Sequence, residues 1–291
     1  VKNLLPSEAT EVMRVSAADP KIVFIGGAGN MAGAVIGGLV ASGHPADKII
    51  ATGRDLAKLN AFAETHGVSI SDDNAAAVAE ADVIVLSVKP QVMRALCEEL
   101  KPHLAERTPL IITFAAGIPL AAYQRWMGEH LPIVRAMPNT PALVQTGVTG
   151  LYADSQVTDE QRELAERIVD AVGISYWVDE ERGIDQVIAV AGSAPAYFFQ
   201  FMEAMIDAAS AGGLARADAE RLVLQTALGA AKLAVASDVD VAQLKRNVMS
   251  PGGTTERAVQ RFEQGGLPQL VADAMRDCEE RAAEMAKELD S

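Results

Sequence analysis

A doubly wound α/β sheet followed by an all-α domain is the fold this sequence predicts, and three observations predict it. Short β-branched runs recur as far as Val178, most of them followed by a helical pattern, which is how a parallel sheet with crossover helices reads. The first run, Ile22 to Ile25, passes through a glycine turn straight into a helix. Beyond Val178 strand patterns stop and apolar helical stretches take over. The expected organisation is an N-terminal extension over residues 1–20, a dinucleotide-binding domain over 21–178, and a helical substrate-binding and dimerisation domain over 179–291.

The glycine turn is Gly27-Ala28-Gly29-Asn30-Met31-Ala32, a G-x-G-x-x-A. Strand, turn and helix in that order mark a Rossmann-type fingerprint. Gly27 is expected to make the tight turn, Gly29 to let the backbone approach a pyrophosphate, and Ala32 to let the helix pack on the strand. Unpaired N–H groups at the helix start then meet the anion. Lys48 to Thr52 reads as the second strand, and its tip selects the cofactor. A ribose 2′-hydroxyl is usually held there by a carboxylate. None occurs between Lys48 and Asp55, and Asp55 reads as a helix cap. Thr52, Gly53 and Arg54 instead offer a 2′-phosphate site, with the planar fork of Arg54. NADPH is therefore the expected cofactor, with NADH the weaker alternative.

Further along, Val68 to Ile70 is a third strand candidate and Asp72 to Ala79 a short helix. Ala81 to Val88 is a buried strand ending in Ser87-Val88-Lys89-Pro90, and ligands of open α/β sheets sit at such carboxyl ends. Lys89 there reads equally as a cofactor neighbour or a surface lysine. Leu110 to Thr113 is the next strand, followed by Phe114-Ala115-Ala116-Gly117, small residues that permit close approach or simply a tight turn. Ile133 to Met137 runs into Pro138-Asn139-Thr140-Pro141, a rigid loop that walls the nicotinamide end of a site or serves only as a turn. A helix over about Asp159 to Ala171 leads into a closing strand, Ser175 to Val178.

Helical stretches then run over Ile184–Ala191, Ala196–Ala211, Arg216–Ala236, Val241–Val248 and Leu267–Leu289. Several are apolar on most faces, as at Ala204-Met205-Ile206, and such helices need partners on more than one side. A homodimer through these helices is expected, the alternative being a compact monomeric bundle. Between two of them, Ser250-Pro251-Gly252-Gly253-Thr254-Thr255 ends one helix and opens the next, with Asn247 about one turn earlier. N–H groups at that helix start suit a substrate carboxylate, or serve only as a capped loop.

Composition limits the alternatives. Hydrophobic residues make up 49% and charged residues 22% of the 291, enough apolar material for full cores. A net charge of −14 argues against a nucleic-acid partner. No apolar run approaches a membrane span, and residues 1–20 lack a signal-peptide pattern, so a cytoplasmic location is expected. Cys97 and Cys278 are far apart and outside any metal-ligand spacing, so no metal is expected. His44, His66, His103 and His130 lie in no motif, no lysine occurs between Lys101 and Lys232, and no tyrosine precedes a lysine by four residues. A carbonyl reductase would want such an acid.

Taken together the segments resemble the pyrroline-5-carboxylate reductase family. They are FIGGAGNMA (Phe24 to Ala32), VKPQ (Val88 to Gln91), AAGIPL (Ala115 to Leu120), VRAMPNTPALV (Val134 to Val144), GSAPAY (Gly192 to Tyr197) and SPGGTT (Ser250 to Thr255). The resemblance runs from about residue 21 to the end. It implies reduction of the C=N bond of a cyclic imino acid to proline, the last step of proline synthesis, with a reductase for a six-membered ring as a near alternative. It implies that Gly27 to Ala32, Thr52 to Arg54, Asn74, Ser87 to Pro90 and Phe114 to Ala116 hold the cofactor. Asn247, Ser250, Gly252, Gly253, Thr254 and Thr255 would hold the substrate, with Thr255 beside the ring nitrogen. It also implies an interlocked dimer and a ring of dimers. The chain departs from the family at Gly26, an additional glycine, at Ala194, where glycine is common, and at Phe114, where a small residue is usual.

Overall fold

The computed structural model describes residues 19–289, so the extension expected over residues 1–20 lies, up to residue 18, outside the described residues. The chain divides into two compact units. The described residues up to Pro195, together with those from Arg276 onward, form one, and Ala196–Met275 form the other.

The first unit is built on an eight-stranded sheet. Its elements run β1 (Ile22–Ile25), α1 (Asn30–Ala41), β2 (Ile49–Thr52), α2 (Leu56–His66), β3 (Ser69–Ser71), α3 (Asn74–Val78), β4 (Val83–Leu86), α4 (Pro90–Leu100), β5 (Leu110–Thr113), α5 (Leu120–Met127), β6 (Ile133–Pro138), β7 (Gly147–Ala153), α6 (Asp159–Asp170), β8 (Gly173–Trp177) and α7 (Gly183–Val187). A π-helical turn, Ile188–Gly192, follows α7. The strand order is β3-β2-β1-β4-β5-β6-β7-β8. All neighbours are parallel except β6 and β7.

Strand alternation sorts the apolar residues into two cores, one on each face. Ile22 and Phe24 of β1 join Val35, Ile36 and Leu39 of α1 and Ile168 and Val169 of α6. Val23 and Ile25 join Ile84 and Leu86 of β4, Met93 and Leu100 of α4, and Tyr123 and Met127 of α5. Helix starts are capped as their sequences suggest. Asp55 accepts from Lys58 N at α2, and Thr158 with Gln161 forms a capping box at α6.

Local sequence pattern does not mark β7, whose run GVTGLYA holds two glycines. It pairs antiparallel with β6 after a 3-10 turn over Thr140–Val144, closed by Gln145 at φ 57°. That reversal places β8 parallel to β7, and it begins at Gly173 rather than at Ser175.

The second unit comprises most of α8 (Ala194–Ala211), then α9 (Arg216–Ala236), α10 (Val241–Val248), α11 (Thr254–Gln264) and the first part of α12 (Leu267–Leu289). Its own buried core is Ile206, Ala219 and Val223.

Candidate active site

The fingerprint turn sits between β1 and α1, where backbone sterics decide its residues. Gly26, not Gly27, takes the left-handed conformation, at φ 80°. The tight turn therefore belongs to Gly26, and the additional glycine is used. Its N–H and that of Gly27 both donate to Thr52 O, at 3.1 and 3.0 Å. Gly27 has a different reason to lack a side chain: a Cβ there would lie 2.6 Å from the Ala51 Cβ. Gly29 is the N-cap of α1 and donates to Gly26 O at 3.0 Å. The next helical N–H groups, of Asn30, Met31 and Ala32, have no carbonyl one turn back to meet. No side chain caps this helix start and no acid lies in its first turn. An anion is the partner such a terminus favours.

The other predicted cofactor residues gather along the same sheet edge. At the tip of β2, buried Thr52 donates through Oγ1 to Asn74 Oδ1 at 2.7 Å, while Asn74 Nδ2 reaches Glu99 Oε1 at 3.3 Å. Arg54 is exposed two residues on. At the tip of β4, Ser87 N donates to Ile25 O at 3.0 Å, and the buried Ser87 Oγ has no protein partner. An orphaned hydroxyl at this edge fits a bound polar group. Val88 stands over the turn, with its Cγ1 3.2 Å from where a Gly26 Cβ would be. Exposed Lys89 is the N-cap of α4 and Pro90 its first residue. At β5, Phe114 N donates to Leu86 O at 3.0 Å and the Phe114 ring packs on the apolar core. Ala115 is buried and Gly117 turns at φ 75°.

Two supports of this edge were not foreseen. Tyr123 of α5 is fully buried and its hydroxyl lies 2.6 Å from Thr113 Oγ1, which accepts from Ala115 N at 3.4 Å. Burial pushes the Tyr123 hydroxyl well above the usual phenol range. A tyrosine on the buried face of a helix needs a polar partner, and that was the available signal. The second support is Glu181, which accepts from Leu120 N at 2.6 Å and pairs with buried Arg135. Cys97 lies in the core beneath, its thiol pushed up to about 12 by burial.

The predicted substrate residues gather in the second unit at the turn between α10 and α11. Gly252 takes φ 72° and Gly253 is the N-cap of α11. Gly253 N donates to Ser250 O at 2.9 Å, and a Cβ at Gly253 would lie 2.8 Å from that oxygen. Gly252 N donates to Glu256 Oε2 at 2.7 Å. Thr254 and Thr255 open the helix, Thr254 exposed and Thr255 half-buried. Asn247 is exposed in the last turn of α10, its Oδ1 accepting from Gln243 Nε2 at 2.7 Å.

A mostly parallel sheet with an anion-ready glycine turn at β1 and a polar tip at β2, followed by a helical second unit, is the build of a dinucleotide-binding protein. Two family models match the chain: "NADP oxidoreductase coenzyme F420-dependent" over residues 21–117, and "Pyrroline-5-carboxylate reductase dimerisation" over residues 181–285. A pyrroline-5-carboxylate reductase of Pseudomonas aeruginosa is 50% identical over 270 residues, covering 93% of this chain and 98% of that protein. The solved pyrroline-5-carboxylate reductase of Coxiella burnetii is 44% identical with a TM-score of 0.89, covering 92% of this chain and 99% of that one. The Plasmodium falciparum pyrroline carboxylate reductase, solved with NADP bound, is 27% identical with a TM-score of 0.79, covering 92% and 98%. This chain belongs to the pyrroline-5-carboxylate reductase family.

Proposed function

We propose that this chain reduces the C=N bond of L-1-pyrroline-5-carboxylate to L-proline, the last step of proline biosynthesis, with NADPH as donor and NADH as the weaker alternative. The observation that carries the reading is a match to such reductases over nearly the whole chain, with the glycine turn and the Ser250–Thr255 turn each lying inside a matched family model. Bound at the sheet edge, the reduced nicotinamide supplies a hydride to the imine carbon.

The chain's own residues bind and orient. The N–H groups of Asn30 to Ala32 hold the pyrophosphate, with Gly27, Ala28 and Gly29 giving it room. Arg54 holds the 2′-phosphate, while Thr52 and Gly53 shape the tip beneath it: the Thr52 hydroxyl is buried and gives its hydrogen to Asn74 Oδ1, and Gly53 N donates to Ser71 O, so neither is left to donate to the phosphate. Ser87 Oγ, Val88, Lys89, Pro90 and Phe114 to Ala116 line the nicotinamide half. In the second unit, Asn247, Ser250 and the helix-start N–H of Thr254 hold the substrate carboxylate, Gly252 and Gly253 shape the turn with their N–H groups given to Glu256 and Ser250, and Thr255 orients the ring nitrogen. A protonated imine is already electrophilic, so the chain needs no strong general acid. The nitrogen keeps the proton it takes from solvent, and the Thr255 hydroxyl holds that N–H in place.

The helical unit is the proposed dimer contact, with dimers assembling further into a ring. Among the described residues no helix is long and apolar enough to cross a membrane. We place the enzyme in the cytoplasm, in keeping with two free cysteines and reductive chemistry. The test follows NADPH absorbance on adding pyrroline-5-carboxylate to purified protein, with NADH and the six-membered imine in parallel. Rapid oxidation with the five-membered ring is expected; NADPH binding without reduction of either imine would overturn the reading.

A further inference from the structure

Two motifs take no part in the roles assigned above, Pro138-Asn139-Thr140-Pro141 and Gly192-Ser193-Ala194-Pro195, and the structure joins them. Pro195 lies in the first turn of α8, just past a bend at Ser193, and without an N–H it cannot close that break by donating to the carbonyl four residues back, that of Ala191. The helix is deformed at this point. Ile188–Gly192 widens into a π-helical turn, and Ser193 N reaches back five residues to Ile188 O at 2.8 Å. The Asn139 side-chain amide supplies a donor in place of the one Pro195 lacks. Its Nδ2 donates to Ala191 O at 3.0 Å, and its Oδ1 accepts from Val148 N at 2.9 Å. Asn139 is only 7% exposed, so both bonds are made where water competes poorly.

The location gives the bridge a use. β6 is parallel to β5, so Asn139, just past its end, lies on the sheet edge that carries Gly27, Ser87 and Phe114. Thr52 and Arg54 stand on the far side of β1. A dinucleotide with its 2′-phosphate at β2 extends its nicotinamide toward β5 and β6. We infer that Asn139 is a positioning residue, which compensates for Pro195 and so fixes the Gly192–Pro195 segment at the nicotinamide end of the site. The location of the nicotinamide rests on the proposed function; the compensation itself does not. π-turns recur at functional sites because they displace a short segment from the regular helix path.

The pairing makes a specific demand on variants. Asn139→Asp keeps the acceptor for Val148 N but loses the donor to Ala191 O. Pro195→Ala restores an N–H at residue 195 that can take over that carbonyl. Asn139→Asp is expected to lower kcat about tenfold, since small misplacements at the reacting end are costly, while the Kd for NADPH changes less than twofold. Adding Pro195→Ala is expected to recover kcat to within about threefold and at least halve the loss in Tm. Unchanged kcat in soluble Asn139→Asp, or no recovery in the double variant, would overturn the inference. If Asn139→Asp folds only with Pro195→Ala present, the compensation stands; if neither folds, it falls. The Tm comparison and amide exchange at Ser193 and Ala194 need no substrate, so they judge the bridge even if the wild-type enzyme reduces no pyrroline-5-carboxylate.

Discussion

The two units solve the problem of burying apolar surface differently. In the sheet unit every residue of β1, β4 and β5 is buried, and helices cover both faces. The helical unit buries Ile206, Ala219 and Val223, yet leaves Phe198, Phe199, Leu222, Leu228, Leu233 and Leu270 each at least half exposed in the single chain. Each such side chain gains about 1.5–3 kcal/mol on full burial. Several together far exceed what a monomer leaves in water without cause. The sheet unit buries its apolar strands within itself, whereas the exposed apolar surface of the helical unit fits the proposed second copy, in line with the dimerisation model that matches residues 181–285.

The strongest way to break this contrast is to charge the helical surface. We predict that Leu228→Glu with Leu233→Glu abolishes the dimer in sedimentation velocity and removes reductase activity, while NADPH still binds. A variant that stays dimeric would move the interface elsewhere. On the other side, Ile84→Ala in the sheet core should cost about 2–5 kcal/mol in urea unfolding and leave the dimer intact. Loss of the dimer at equal folded population would mean the units do not divide the labour in this way.

Within the sites, Thr255→Ala should reduce kcat/KM about ten- to a hundredfold, or about 1.4–2.8 kcal/mol of transition-state stabilisation. Unchanged steady-state kinetics would remove Thr255 from the substrate site. Arg54→Ala should weaken NADPH about tenfold and NADH hardly at all, read by fluorescence titration. Equal losses for both would deny Arg54 its 2′-phosphate role. The smallest effect concerns the cysteines. Cys97 is buried and its thiol pushed up to about 12, so an alkylating reagent at pH 8 should leave it unmodified in the native enzyme and label it after urea. Native labelling would show that the core beneath β4 opens.

The sheet was legible where apolar runs were continuous. Ile22–Ile25, Val83–Leu86 and Leu110–Thr113 are buried on both faces and announce themselves. β7 did not, because its sequence, GVTGLYA, carries two glycines that dilute the strand pattern. Tertiary contacts explain them: a Cβ at Gly150 would meet Val187 at 2.7 Å, and one at Gly147 would meet Ala142 at 2.9 Å. The candidate cofactor residues were readable as a glycine turn plus strand tips. The division of labour between Gly26 and Gly27 was not, since sequence gives neither φ nor the distance to Ala51. The Asn139–Ala191 contact joins segments 52 residues apart, which no local pattern encodes.

The outermost strand β3 carries one more consequence. An open sheet such as this one has two rims, and an open rim is a template on which another chain can polymerise. At one rim this protein places only three residues, Ser69–Ser71, followed at once by Asp72 and Asp73. So short and so negatively bordered a strip resists fibril-like stacking.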